Sequence, residues 1–416
     1  MSKKRLGIGF IGGGFISRFH IQSLISVRDV DVIGVMSKTK QSAEETAAIA
    51  NDLGLGPAKA YDTITELIED PKIDALWVCS PNFARIDAFE EIANAIQSGK
   101  GELIGVACEK PLGRNVAEAK KVLELTQSVG LLDGYLENQV FSPSITRGKE
   151  IVWARGAATT GRPFLARAAE EHSGPHMPWF WEGELQGGGV LNDMMCHSVE
   201  EARFMLTEPG KSRDSIKPIS VSAHTDCLKW QRPKYADILS KNSGGKTNYL
   251  ERPSEDFARS LIEYLDEDGE KLIIETTTSW CFVGEGLRLS MELFGPEYSM
   301  FVNTLDPDLR VFFSREVLGD SGEDLVEKQN AESGGMPVVS NEADVYGYAA
   351  ENRHMVESFL AGKRPDENFD DGLNVTELLM TAYMSAEQGK TVSFPPPDLD
   401  SFVPSVAKGE WNPKNK

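Results

Sequence analysis

Over the first 140 residues, short apolar runs alternate with stretches of helical periodicity. "LGIGFIG" (6–12), "DVIGVMS" (31–37), "IDALWVCS" (73–80), "LIGVACEKP" (103–111) and "LLDGYLENQVF" (131–141) read as strands. Between them, "SRFHIQSLISV", "QSAEETAAIANDLG", "ITELIED", "RIDAFEEIANAIQSG" and "NVAEAKKVLELTQSVG" read as helices. Strands alternating with helices imply parallel strands joined by helical crossovers, so the pattern predicts a doubly wound α/β sheet ending near residue 140. The rhythm then changes. "GRPFLARAAEEH", "ISVSAHTDCL", "KLIIETTTSWCF", "LRLSMELFG" and "SMFVNTL" are longer strands with alternating faces, Leu289, Met291 and Leu293 against polar neighbours, and few helices separate them. An open, largely antiparallel sheet in an α+β domain is expected there. The polar stretch 229–256 carries no pattern and reads as a long loop or insertion. Helical patterns at 346–362 and 370–389 are expected to close the second domain, with an extended tail beyond. The expected division is 1–140, 141–395 and a tail over 396–416.

Composition narrows the function classes. At 416 residues the chain is too long for one typical core. Forty-three Lys and Arg against 64 Asp and Glu give a net charge of −21, which repels phosphate backbones and anionic bilayers. Nucleic acid and membrane are therefore not expected as partners, whereas a local cation cluster can still take an anionic small molecule. The five cysteines (Cys79, Cys108, Cys196, Cys227, Cys281) show no ligand spacing, which fits a reducing compartment and no metal. No run of about 18 apolar residues suggests a membrane span. A cytoplasmic protein is expected.

Candidate chemistry begins at "GFIGGGFIS". Gly12 and Gly14 take the first two positions of a G-x-G-x-x-G/A turn between a strand and a helix, with Ser17 at the third. Such a turn brings backbone amides, here of Gly14, Phe15 and Ile16, to a pyrophosphate. A bland tight turn is the alternative. After the second strand, Ser37, Lys38 and Thr39 stand where an acid would select NAD, so NADP is favoured over NAD. A solvated lysine at a strand end is the competing explanation. Glu109, Lys110 and Pro111 end a predicted strand, at the edge where open α/β sheets bind ligands. Farther on, Asp193 and His197 lie four residues apart behind three glycines, on one helix face whether working or idle.

Taken together, "GFIGGGFIS", "CSPNF", "CEKPLGRNVAEAKKV", "GGGVLNDMMCH" and "GLNVTELLMTAYMSAEQGKTVSFP" resemble the glucose-fructose oxidoreductase, inositol dehydrogenase and MocA family. The resemblance covers nearly the whole chain. It implies an N-terminal Rossmann domain, a C-terminal α+β domain, and catalytic roles for Lys110, Asp193 and His197. His197 would be the acid/base, since imidazole titrates at about 6.5 when unperturbed. Lys110 would stabilise a developing alkoxide, and Asp193 would orient substrate or its partner. A dipole-favoured aspartate and a core histidine are the structural alternatives. By motif position, Ser80, Asn82, Glu109 and Asn138 join Lys110 around the dinucleotide. The family often has a histidine shortly after "PN", where this chain runs Phe83, Ala84, Arg85.

The stretch "ARAAEEHSGPHMPWFWEGELQGGG" is rich in groups suited to polyols: His172, His176, Trp179 and Trp181, with Asn192 and Glu137 elsewhere. Trp179 and Trp181 suit a core or subunit interface equally well. The leading expectation is an NAD(P)-dependent dehydrogenase or reductase of a sugar, sugar derivative or cyclitol, assembled as a homodimer or homotetramer. A redox-neutral NAD-dependent glycosidase, with Glu137 or Glu171 as extra base, is the alternative. A non-catalytic dinucleotide-binding regulator ranks third.

Overall fold

A computed structural model of the chain describes residues 5–284, 286–306, 309–313, 334–338 and 341–415. Contacts divide it into two units, Met1–Ser142 with Ala343–Thr376, and Pro143–Glu342 with Glu377–Lys416. In the first, β1 (Leu6–Ile11) leads to α1 (Phe15–Ser23), β2 (Val30–Met36) to α2 (Lys40–Asp52) and β3 (Lys59–Tyr61) to α3 (Ile64–Glu69). The series continues with β4 (Ala75–Val78), α4 (Arg85–Gln97), β5 (Gly105–Glu109), α5 (Val116–Ser128) and β6 (Leu132–Leu136). Thr39, Thr63 and Asn115 each accept an N–H from the first turn of the helix they open, which fixes where α2, α3 and α5 begin. All six strands are parallel in the order β3-β2-β1-β4-β5-β6. The order reverses between β1 and β4, which is the switch point where such sheets open a crevice at their carboxyl ends.

The chain continues through α6 (Pro143–Ile151), α7 (Ala158–Thr160), β7 (Leu165–Glu171), α8 (Gly183–Gln186), α9 (Val190–Leu206) and β8 (Lys217–Asp226). Next come α10 (Pro233–Asn242), β9 (Phe257–Leu265), β10 (Lys271–Ser279), β11 (Arg288–Gly295) and β12 (Tyr298–Asn303). An antiparallel pair of β13 (Leu309–Phe313) and β14 (Gly334–Val338) precedes α11 (Glu342–Val345), α12 (Tyr348–Leu360), α13 (Phe369–Gln388) and β15 (Val392–Ser393). The second sheet runs β12-β11-β7-β10-β9-β8-β15 and is antiparallel except for the β7–β10 pair. Period-2 alternation sends Ala166, Ala168, Ile262, Tyr264, Ile274, Met291 and Leu293 to a buried face, which α9 covers. The opposite face carries charge: Arg167 meets Glu275 at 2.6 Å and Glu292 at 3.6 Å.

Three expectations change. The stretch 229–256 is not unpatterned, because α10 opens on Pro233 and buries Ala236 and Leu239, spaced i and i+3, on one face. The segment 346–362 is helical as expected, but α12 packs on the first sheet rather than closing the second. There Met355, Val356 and Phe359 share a core with Ile21, Ala43, Ala47 and Trp77, while Phe89, Ile92, Leu67 and Val122 fill the other face. The tail is not simply extended, since it turns at Leu399–Ser401 and docks on the second unit. Leu399, Val406 and Trp411 are buried, and the Asn412 Oδ1 accepts from Gln231 at 2.8 Å.

Candidate active site

The first unit builds its part of the site on the carboxyl edge of the parallel sheet. Gly12 follows β1 with φ +114°, and a Cβ there would lie 2.7 Å from the Cys79 carbonyl oxygen, so only glycine fits. The Gly13 carbonyl accepts from Ser42 Oγ and Thr46 Oγ1 at 3.0 Å each, pinning the turn to α2. Gly14 is the N-cap of α1 and brings no side chain to it, and nothing lies within 4 Å of where its Cβ would be. The first-turn amides of α1, those of Phe15 and Ile16 among them, thus face an open edge without a competing side-chain cap. Phe15 is exposed and stacks on Phe19, Ile16 is half-buried, and Ser17 is fully buried, which explains a small residue at the third glycine position.

Of the groups after β2, Ser37 is half-buried and Lys38 is exposed. Thr39 is engaged locally, its Oγ1 accepting the Ser42 N–H at 3.3 Å. After β4, Ser80 and Asn82 are buried, and Ser80 Oγ has no hydrogen-bond partner among the described residues. Asn138, after β6, donates to the Tyr346 carbonyl at 2.6 Å, and the fully buried Glu137 accepts the Gln139 N–H at 3.3 Å. Lys110 is half-buried at the end of β5 and is held by its backbone. Its N–H donates to Glu109 Oε2 and its carbonyl accepts from Arg85 Nη2, both at 3.0 Å. Burial works against a charged Glu109, but the His20 hydrogen bond and the charges of Lys110 and Arg85 outweigh it and hold the carboxyl below its usual range.

The second unit centres on α9, and its termini are held from outside the helix. At the amino end, buried Glu255 accepts from the Gly189 N–H at 2.8 Å, the Leu191 N–H at 3.1 Å and the Tyr383 hydroxyl at 2.5 Å. The three glycines are now explained. Gly187 ends α8 with φ +95°, a Cβ on Gly188 would sit 2.0 Å from Tyr383 Oη, and one on Gly189 would sit 2.4 Å from the Glu255 carbonyl. At the other end, Lys149, Trp153 and Arg162 donate to the carbonyls of Phe204, Met205 and Leu206 at 2.6, 3.1 and 2.8 Å. Burial, assisted by Arg213, lowers the Lys149 pKa to about 7.

This framing fixes Asp193 and His197 on one face of α9. Asp193 Oδ2 accepts from Trp280 Nε1 at 3.2 Å, and His197 Nε2 lies 3.9 Å from Glu170 Oε2, all four side chains being buried. Neither Glu170 nor Trp280 was singled out from sequence. Strand parity could have found Glu170, since Ala166, Ala168 and Glu170 alternate with Arg167, Ala169 and Glu171 on β7. The same parity corrects the proposed extra base: Glu171 points to the opposite face, where it pairs with Arg288.

The carbohydrate-suited residues divide. Trp181 is buried among Trp230, Tyr249 and Trp280 and donates to the Pro175 carbonyl at 3.1 Å, a core position. Asn192 is fully buried and donates to the Gln186 carbonyl at 3.1 Å. His172 is buried, its Nδ1 accepting the Gly174 N–H at 2.9 Å. His176 is exposed, and half-buried Trp179 stacks on Phe180 with centroids 3.8 Å apart.

Comparison with known proteins adds the following. Residues 6–133 match the model described as the oxidoreductase family with NAD-binding Rossmann fold, and 156–300 match the GFO/IDH/MocA C-terminal domain. The chain is 30% identical over 202 residues to 1,5-anhydro-D-fructose reductase of Ensifer adhaerens, covering 48% of this chain and 56% of that protein. It is 30% identical over 204 residues to myo-inositol 2-dehydrogenase of Thermotoga maritima, covering 48% and 55%. The matched region thus spans about half the length of these curated relatives. Among solved structures, GenD2 from gentamicin A biosynthesis in complex with NAD aligns with TM-score 0.74 at 24% identity, covering 94% of this chain and 97% of that one. Levoglucosan dehydrogenase in complex with NADH and levoglucosan aligns with TM-score 0.66 at 19% identity, covering 94% and 100%. At these identities the structural likeness is one of fold.

Proposed function

Since the chain belongs to the Gfo/Idh/MocA oxidoreductase family, we propose that it is an enzyme moving a hydride between a nicotinamide dinucleotide and a hydroxyl or keto carbon of a sugar, sugar derivative or cyclitol. The observation that carries this reading is Lys110, clamped at the carboxyl edge of the sheet that also bears the glycine turn. That edge fits a dinucleotide: among the described residues α1 has no side-chain cap, nothing crowds Gly14, and Ser80 Oγ is a buried hydroxyl without a partner. Gly12, Gly14, Phe15 and Ile16 would hold the pyrophosphate, with Ser37, Lys38, Ser80, Asn82, Lys110 and Asn138 along the rest. The nicotinamide, when bound, supplies the acceptor for the hydride.

The protein's own groups supply the rest. As the alcohol carbon gives up hydride, its hydroxyl proton passes to His197, leaving a ketone. Glu170 steadies the imidazolium so formed, Lys110 stabilises negative charge on the substrate oxygen, and Asp193, held by Trp280, orients a neighbouring hydroxyl. His176 and Trp179 are the exposed or half-exposed members of the carbohydrate-suited set. His172, Trp181, Asn192 and Glu137 would act by shaping the unit around them. We favour NADP over NAD because Lys38 is exposed after β2 and no acid stands there. The first unit, Met1–Ser142 with Ala343–Thr376, would serve the dinucleotide, and the second, Pro143–Glu342 with Glu377–Lys416, the substrate, with 396–416 as its bracing tail.

A homodimer or homotetramer is the proposed assembly, through the uncovered face of the second sheet, where Phe301 is 65% exposed beside Phe294. Among the described residues no helix is long and apolar enough to cross a membrane, and the five cysteines form no disulfide with one another. A cytoplasmic setting is consistent with both. The test is absorbance at the reduced-nicotinamide band, with NAD and NADP supplied separately against free sugars, cyclitols and aryl glycosides. Absorbance should rise with a free polyol, and more with NADP. Aglycone release without any rise would replace this reading with the redox-neutral one, and no response to any compound would remove both.

A further inference from the structure

Beneath the Lys110 turn lies a buried polar chain that the chemistry above does not use. His20, on α1, is fully buried; its Nε2 lies 2.9 Å from Glu109 Oε1, and its Nδ1 faces the side-chain amide of Asn352 from α12. Trp77, on β4, decides how that amide is turned. An indole N–H can only donate, and Trp77 Nε1 lies 2.9 Å from Asn352 Oδ1, so Oδ1 accepts there. Asn352 Nδ2 then lies 2.9 Å from each of His20 Nδ1, Ser23 Oγ and the Tyr348 carbonyl oxygen, and its two hydrogens are shared among these three neighbours. At the other ring nitrogen the partner is the Glu109 carboxylate, which when ionised only accepts, so Nε2 carries a proton and donates it to Glu109.

Glu109 spends its other oxygen on the Lys110 N–H, while Arg85 holds the Lys110 carbonyl. A buried polar chain therefore runs from Trp77 through Asn352 and His20 to a carboxylate that grips the backbone of Lys110. Glu351 adds a second buried acid, its Oε2 3.9 Å from His20 Nδ1, and burial with the neighbouring Glu109 and Glu137 pushes its carboxyl well above the usual range. The ionised acid of the pair is thus the one His20 serves. Without that donor, Glu109 would keep a buried charge with one fewer hydrogen bond, and its hold on the turn would loosen.

We propose that His20, as the Nε2–H tautomer, is a positioning residue: it locks Glu109, and through Glu109 the backbone from which Lys110 reaches the substrate oxygen. This rests on the catalytic role proposed for Lys110.

The test compares His20→Gln with His20→Asn in the full-length protein. A glutamine amide reaches the Nε2 position and can still donate to Glu109, whereas an asparagine amide stops at the Nδ1 position. H20N should lower kcat at least tenfold with the dinucleotide Kd within threefold of wild type, and H20Q should return kcat to within threefold. Two-bond proton–nitrogen spectra should show His20 protonated on Nε2. Equal kcat in the two variants, or protonation on Nδ1, would overturn the proposal. A second readout needs no turnover: labelling of Lys110 by pyridoxal phosphate and borohydride, mapped by mass spectrometry. Its rate should change at least threefold in H20N and stay near wild type in H20Q. If the wild type reduces no dinucleotide with any polyol, the function reading fails, while labelling and tautomer still decide the clamp.

Discussion

Glu255→Gln isolates a buried charge that sets the stability of the α9 scaffold. The Glu255 carboxyl is 1% exposed, and burial pushes its pKa up to about 7 from an ordinary 4.5, against the opposing pull of Tyr383 and the Gly189 and Leu191 amides. A raised folded-state value means the native protein keeps this proton where the unfolded chain has lost it. The associated stability is complete below the unfolded value and is lost as pH rises through the folded one, from roughly 4.5 to roughly 7. A shift of this size corresponds to about 3 kcal/mol, at about 1.4 kcal/mol per unit. Glutamine has the same shape, accepts the same two amides and does not titrate. Urea denaturation of both proteins between pH 5 and pH 8, followed by tryptophan fluorescence, gives the difference curve. The variant should gain on wild type as pH rises, by about 3 kcal/mol across the window. A flat curve would mean that Glu255 titrates alike in both states. A curve of opposite slope would mean that its three donors hold the carboxylate below the unfolded value, and the burial argument would be refuted.

Other outcomes follow from the same geometry. His197→Ala and Lys110→Ala should each lower kcat by about 10²-fold or more while dinucleotide affinity, measured by fluorescence titration, stays within a few-fold; wild-type rates in both would remove the catalytic assignment. Glu170→Gln should cost about tenfold in kcat and move the acidic limb of the pH–rate profile downward, because the imidazolium loses a stabilising carboxylate. An unmoved limb would separate Glu170 from the chemistry. Gly12→Ala forces a positive φ and a 2.7 Å approach to the Cys79 carbonyl oxygen, so it should cost about 2–4 kcal/mol and weaken dinucleotide binding. Thermal unfolding checks the first effect and titration the second.

Much of this molecule was written in short-range pattern. Alternating apolar runs and helical periods identified five of the six strands of the parallel sheet, missing the three-residue β3, and period-2 alternation identified the second sheet without β9, because burial on one face repeats with the local geometry of the backbone. The glycine turn was legible for the same reason: positive φ and close approach at Gly12 are demands on one residue. The i, i+4 spacing placed Asp193 and His197 on one face of a helix. Parity on β7 likewise separates Glu170, on the buried face, from Glu171.

What holds those residues in place came from tertiary structure. The three glycines before α9 have meaning only beside Glu255 and Tyr383, 66 and 194 residues beyond Gly189. His20 meets Asn352 across 332 residues, and that contact exists because α12 returns to the first sheet. Trp181 suited a sugar face as well as a core until Trp230 and Trp280 were found around it. A side chain's chemistry is local and can be listed from the sequence. Whether its polar atoms are spent on the fold depends on which distant donor or ring reaches it first, and only the three-dimensional packing decides that.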